Sequence, residues 1–109
     1  MRYIEIISGP QTLYIDEEEL EAIIENPSVH RVPGQPQDIA GISYYMGKLV
    51  VYYNPFDMCG TAQEVYRCGI ILRGGTGYRG ILSDTVGEET NNGQEMEQII
   101  KGVWVKKHD

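Results

Sequence analysis

Gly41-Ile42-Ser43-Tyr44-Tyr45-Met46-Gly47-Lys48-Leu49-Val50-Val51-Tyr52-Tyr53 is the stretch whose reading decides the fold class. Its two halves, 41–46 and 49–53, are rich in Ile, Val and Tyr, which suit a pleated, half-buried surface. Gly47-Lys48 between them is a two-residue Gly-X connection, and it predicts a β-hairpin with a type II′ turn. Asn54-Pro55 closes the second strand. Alternation places Tyr44 and Tyr45 on opposite faces, and Tyr52 and Tyr53 likewise. One tyrosine of each pair is therefore expected to face outward.

The flanking segments extend the same pattern. Tyr3 to Ile7 alternates as a strand, Ser8-Gly9-Pro10 is turn chemistry, and Thr12 to Ile15 returns as a second strand. Asp16 and Glu19 have capping-box spacing, and Leu20, Ile23 and Ile24 fall at i, i+3, i+4. Together they predict one short helix ending at Asn26-Pro27, with the glutamates on its solvated face. Pro27, Pro33 and Pro36 mark residues 27–38 as an extended loop, and residues 57–64 read as a loop or short helix. Val65 to Arg73 and Tyr78 to Leu82 read as strands around the turn Gly74–Gly77. Thr85 to Thr90 reads as irregular, Asn91-Asn92-Gly93 as a turn, Glu95 to Ile100 as one or two helical turns, and Ile100 to Val105 as a last strand. Many short strands with one or two short helices point to a small all-β barrel.

The chain has 109 residues, which suits one domain over 1–109. Nine Lys+Arg against 16 Asp+Glu give a formal charge of −7, which argues against nucleic acid or an anionic membrane as partner. The acids gather at both ends, and residues 27–80 carry three acids and five bases. The longest apolar run, Leu49 to Tyr53, is far below the roughly 18–20 residues that span a bilayer. Glu5 interrupts any secretory signal, so a cytoplasmic location is expected. In that compartment Cys59 and Cys68 read as reduced thiols.

The motifs offer little chemistry. Gly75-Thr76-Gly77-Tyr78-Arg79-Gly80 matches G-x-G-x-x-G, but a strand-like segment follows where a dinucleotide site needs a helix. A single Arg73-Gly74-Gly75 in an acidic chain is weak support for RNA binding. Cys59, Cys68, His30 and His108 lack zinc-ligand spacing. Neither histidine sits in a nucleophile signature, and Asp84 reads as a strand-end residue. The expectation is therefore no enzyme, no cofactor and no metal. Eight tyrosines against one Phe and one Trp leave two readings of the hairpin, a protein-contact surface or amphipathic strand filler.

Val29-His30-Arg31-Val32-Pro33-Gly34-Gln35-Pro36, followed by Ala40 to Pro55, resembles the CheW-like domain family. That family carries a hydrophobic-x-x-V-P-G-x-P segment and then R-G-V-I-N-L-R-G-x-V-x-P-V-I-D-L. Tyr78-Arg79-Gly80-Ile81-Leu82-Ser83-Asp84-Thr85-Val86-Gly87-Glu88 is similar to its V-G-L-L-V-D-x-V-x-E-V strand, and Ile100-Lys101-Gly102-Val103 to its I-x-G-V segment. The resemblance covers most of residues 3–105. It implies two intertwined five-stranded, SH3-like barrels. It also implies a non-catalytic adaptor joining a chemotaxis histidine kinase, CheA, to receptors. The contact surface carried over is Gly41, Ile42, Tyr44, Met46 and Gly47.

Met46 stands where the family has Arg, Tyr44 where it has Asn, Ala40 where it has Arg, and Asn54 where it has Asp. The hairpin is thereby apolar and aromatic, since Arg to Met exchanges a five-donor fork for a flexible apolar contact. Typical members continue into another strand and a closing helix. The expectation is an open strand edge that pairs with a second copy or a partner strand. The rivals are a small-ligand barrel with a dry pocket under the glycine turn, and an enzyme built on Asp84 or His30.

Overall fold

The short runs of Ile, Val and Tyr become strands, and the strands sort into two five-stranded sheets. The computed structural model describes residues 2–31, 33–34, 39–58, 66–74, 77–91 and 95–106. In chain order the strands are β1 Arg2–Ser8, β2 Gln11–Asp16, β3 Leu20–Glu25, β4 Ile39–Tyr45 and β5 Lys48–Tyr53. A four-residue helix, α1 Pro55–Met58, precedes β6 Cys68–Gly74, β7 Gly77–Ser83, β8 Thr85–Asn91, β9 Met96–Ile100 and β10 Val103–Lys106. The first sheet has the order β8-β1-β2-β10-β9 and the second β3-β6-β7-β5-β4. The second sheet is thus one continuous stretch of chain. The first is assembled from the segments on either side of it. β5 and β7 run parallel, and the other named pairs are antiparallel.

Three sequence expectations are corrected. The helix after Asp16 is a single 3-10 turn, Glu17–Glu19, followed by strand β3. The cap itself is present, since the Asp16 carboxylate accepts from the Glu18 N–H at 3.0 Å. Leu20, Ala22 and Ile24 alternate inward with period two, while Ile23 is 44% exposed. Leu20 and Ile24 satisfy both periods, and pairing of β3 with β6 selects the strand. The segment read as irregular is β8, which pairs with β1 through Ile7↔Thr85, Ile6↔Val86 and Ile4↔Glu89. The segment read as helical turns at Glu95 to Ile100 is β9, paired with β10. Both are polar edge strands, covered on one side only, so they lack the apolar density of the inner strands.

The inner strands of the second sheet are buried on both faces. Ile70, Ile71 and Leu72 of β6 are consecutive and buried, as are Gly80, Ile81, Leu82 and Ser83 of β7. One face joins Val50, Tyr52, Phe56 and Tyr66 in the core. The other meets the first sheet. There the Ser83 hydroxyl lies 3.2 Å from the Ile7 carbonyl, and the Asp84 N–H donates to that same carbonyl. Arg79 donates to the Lys101 carbonyl between β9 and β10, with Glu19 3.6 Å away.

The Tyr52 ring organises the inner face. A Cβ on Gly80 would lie 2.5 Å from its Cδ1, and one on Gly69 would lie 2.8 Å from its hydroxyl. The ring therefore crosses β7 and reaches β6 over two residues with no side chain. Gly80→Ala is expected to lower stability by about 1–3 kcal/mol, read as a reduced melting temperature in calorimetry. Burial also pushes the Tyr52 phenol above its ordinary pKa of 10.0. The folded state then holds its proton longer than the unfolded chain does. Stability is full below about pH 10 and falls as pH rises above it. In alkaline denaturant titrations, Tyr52→Phe is expected to flatten that fall.

Candidate functional site

The hairpin of β4 and β5 forms as expected, but with a different turn. Tyr45 pairs with Lys48, so the loop is Met46-Gly47. Both loop residues have positive φ, 51° at Met46 and 78° at Gly47, which makes the turn type I′ and not the type II′ turn predicted at Gly47-Lys48. The register moves by two residues, and every side chain keeps its face. Gly47 is at home at that φ. Met46 is not, because a left-handed conformation costs a non-glycine residue roughly 1–2 kcal/mol.

Alternation along the register gives the two faces. Gly41, Ser43, Tyr45, Val50 and Tyr52 lie on the core side. There Tyr45 meets Tyr78 edge-on at 5.3 Å, and the Lys48 ammonium lies 5.6 Å from the Tyr78 ring centre. Ile42, Tyr44, Leu49 and Val51 lie on the other side. Tyr44 is 70% exposed, Met46 79% and Leu49 47%. Tyr44 and Leu49 are direct cross-strand partners. This face continues through Arg79 and Ile81, in register with Val51 and Tyr53, into the surface that packs on the first sheet. The hairpin is the overhang of that surface beyond its cover.

Of the residues singled out in the sequence, Ile42, Tyr44, Met46 and Gly47 come together at the hairpin tip. Gly41 does something else. It is buried, and a Cβ there would collide with the His30 carbonyl and lie 2.8 Å from Val29 Cγ1. Its lack of a side chain lets His30 bridge to β4, with His30 N–H to the Ile42 carbonyl at 2.8 Å and Ile42 N–H to the His30 carbonyl at 2.9 Å. Leu49 was missed, although its signal was present. A two-residue turn at Met46-Gly47 sets it opposite Tyr44.

Charge near the tip is sparse. Ile39–Tyr53 carries Lys48 as its only charged residue. Three of the five bases of residues 27–80 meet acids, Arg73 with Glu21 at 3.0 Å, Arg67 with Asp84 at 3.9 Å and Arg79 with Glu19 at 3.6 Å. Asp84 bridges β7 and β8 as a strand-end residue. The Cys68 thiol donates to the Asp84 carbonyl, and burial, reinforced by Glu25 and Asp84, raises its pKa. The exposed His30 engages β4 through its backbone. Cys59, His108, Gly75 and Thr76 lie outside the described residues. Among the described residues no three His, Cys, Asp or Glu side chains cluster as metal ligands, and no helix is long and apolar enough to cross a membrane.

No protein-family model and no curated protein matches the chain. A solved structure does match, that of the scaffolding protein TtCheW from Thermoanaerobacter tengcongensis, with a TM-score of 0.75 and 17% sequence identity. The match covers 99% of this chain and 82% of that one. This chain has the same fold, two sheets with the second inserted into the first.

The exposed, strained Met46 generates a test. Met46→Asn places a residue that tolerates positive φ before Gly47. It is expected to stabilise the fold by about 0.5–1 kcal/mol in denaturant unfolding, which locates the cost of methionine in the turn.

Proposed function

We propose that this chain is a non-enzymatic adaptor of the bacterial cytoplasm that binds protein partners through the tip of the β4–β5 hairpin. The observation that carries the reading is the uncharged, apolar overhang. Tyr44, Met46 and Leu49 stand exposed on one continuous surface, with Ile42 and Val51 beneath them. Exposed apolar patches of this kind mark contact sites, and tyrosine and methionine are enriched at such contacts. Met46 holds a conformation that destabilises the fold, as expected where a residue serves binding more than folding. The likeness to a scaffolding protein supports the same class of function.

The proposed partners follow from the resemblance of the sequence, a chemotaxis histidine kinase or the cytoplasmic domain of a chemoreceptor. Ile42, Tyr44, Met46 and Gly47, with Leu49, form the contact. Gly41 acts indirectly, by letting His30 fix the strand. Binding rests on apolar burial and shape, because the tip offers no guanidinium fork.

Purified kinase regulatory domain and receptor cytoplasmic domain, each immobilised, are the ligands for the test. Wild-type protein is expected to bind one of them. Tyr44→Asp and Met46→Asp are each expected to weaken binding at least tenfold, with an unchanged circular dichroism spectrum. Unaltered binding by both variants moves the contact elsewhere, and no binding by the wild type to either domain overturns the adaptor reading.

A further inference from the structure

We infer that the hairpin tip also pairs with its own counterpart in a second copy of the chain, through a two-fold contact close to Tyr44. The inference uses the surface assigned above but does not depend on the identity of the adaptor's partner.

The charge pattern of the sheet edges selects this occupant. The two sheet orders end in β8, β9, β3 and β4. β8 carries Glu88 and Glu89, β9 carries Glu97, and β3 carries Glu21 and Glu25. β4, Ile39-Ala40-Gly41-Ile42-Ser43-Tyr44-Tyr45, carries no charge. Charged side chains on edge strands are how sheets avoid pairing with other chains. Two copies, each with formal charge −7, repel most strongly where acidic edges meet. Among these four edges, β4 against β4 is the combination with a carboxylate on neither side.

The backbone shows where contact is available. Ile42 exchanges both of its hydrogen bonds with His30, so its N–H and C=O point away from β5. By alternation, those of Tyr44 point the same way. Among the described residues, the open stretch of edge therefore runs from Tyr44 to the turn. Beside it lies the apolar overhang, already continuous with the surface that seals the two sheets together. A second copy extends that packing. The contact is small, since a stable dimer buries roughly 800 Å² per partner and a hairpin tip offers less. Association is therefore weak, with a dissociation constant on the order of 100 µM.

Sedimentation of the full chain from about 5 to 500 µM tests this, spanning the expected constant. Monomer at the low end and dimer at the high end are expected, with more dimer at physiological salt than at low salt because salt screens the net repulsion. Tyr44→Glu and Tyr44→Lys, each with wild-type circular dichroism, are expected to remain monomeric, and their equimolar mixture to dimerise. A wild type that is monomeric throughout overturns the inference. So does a dimer that survives both substitutions, a mixture that stays monomeric, or growth beyond dimer, which a closed two-fold contact forbids. A monomeric wild type that still binds kinase or receptor leaves the adaptor reading standing. A dimer that binds neither leaves this inference standing alone.

Discussion

Strands β6 and β7 must be covered on both faces, and the architecture follows from that requirement. Ile70-Ile71-Leu72 and Gly80-Ile81-Leu82-Ser83 have no side they can give to water. One face is covered within the second sheet's own core by Val50, Tyr52 and Phe56. The other needs a second sheet, which the chain builds from the segments before and after the insertion. The joint is fixed by polar contacts that tolerate little displacement, Ser83 to Ile7 and Arg79 to Lys101. Each buried aliphatic side chain contributes about 1.5–3 kcal/mol. The hydrogen bonds add less, and their value lies in setting register and angle.

The exposed hairpin is a consequence of the same geometry. The first sheet covers the second over β6 and β7 and leaves the far end of β5 and β4 bare. Natural sheets commonly place polar residues on such a bare face. Here the positions hold Ile42, Tyr44, Leu49 and Val51, and the turn holds Met46 against its backbone preference. A chain selected for stability alone has no reason to keep both features. Their coincidence on one surface is the ground on which the contact reading of the hairpin is proposed.

Most strands were legible in the sequence because their signals were local. β1, β2, β5 and β7 announce themselves by Ile, Val and Tyr between Gly/Pro turns. Leu20 to Ile24 was misread because Leu20 and Ile24 fit a helical stripe and a strand equally well. Only pairing with Ile70 and Gly69, some 45 residues away by sequence, decides between them. β8 and β9 were misread for the opposite reason. An edge strand has one partner and one wet face, so its composition resembles a loop. The hairpin tip was legible through its tyrosines and its resemblance to a known family, and Leu49 joined it only when the turn was placed at Met46-Gly47. Gly41 carried no local sign that His30 presses against it.

The division of charge from apolar surface separates two tasks. Long-range fields govern how fast molecules meet, and desolvated apolar contacts govern how long they stay. The acidic ends of this chain give it a strong field, while the tip of the second sheet carries Lys48 alone over fifteen residues, 39–53. Approach to the tip is thus the least repulsive route for any acidic surface. Once there, retention depends on how well shape matches Tyr44, Met46 and Leu49. The flexible thioether of Met46 makes that match adaptable. Tyr44 and Leu49 share a strand face with Arg79 and Ile81 but lie beyond the part of that face that the first sheet covers, so substitutions at the tip leave the joint between the sheets in place.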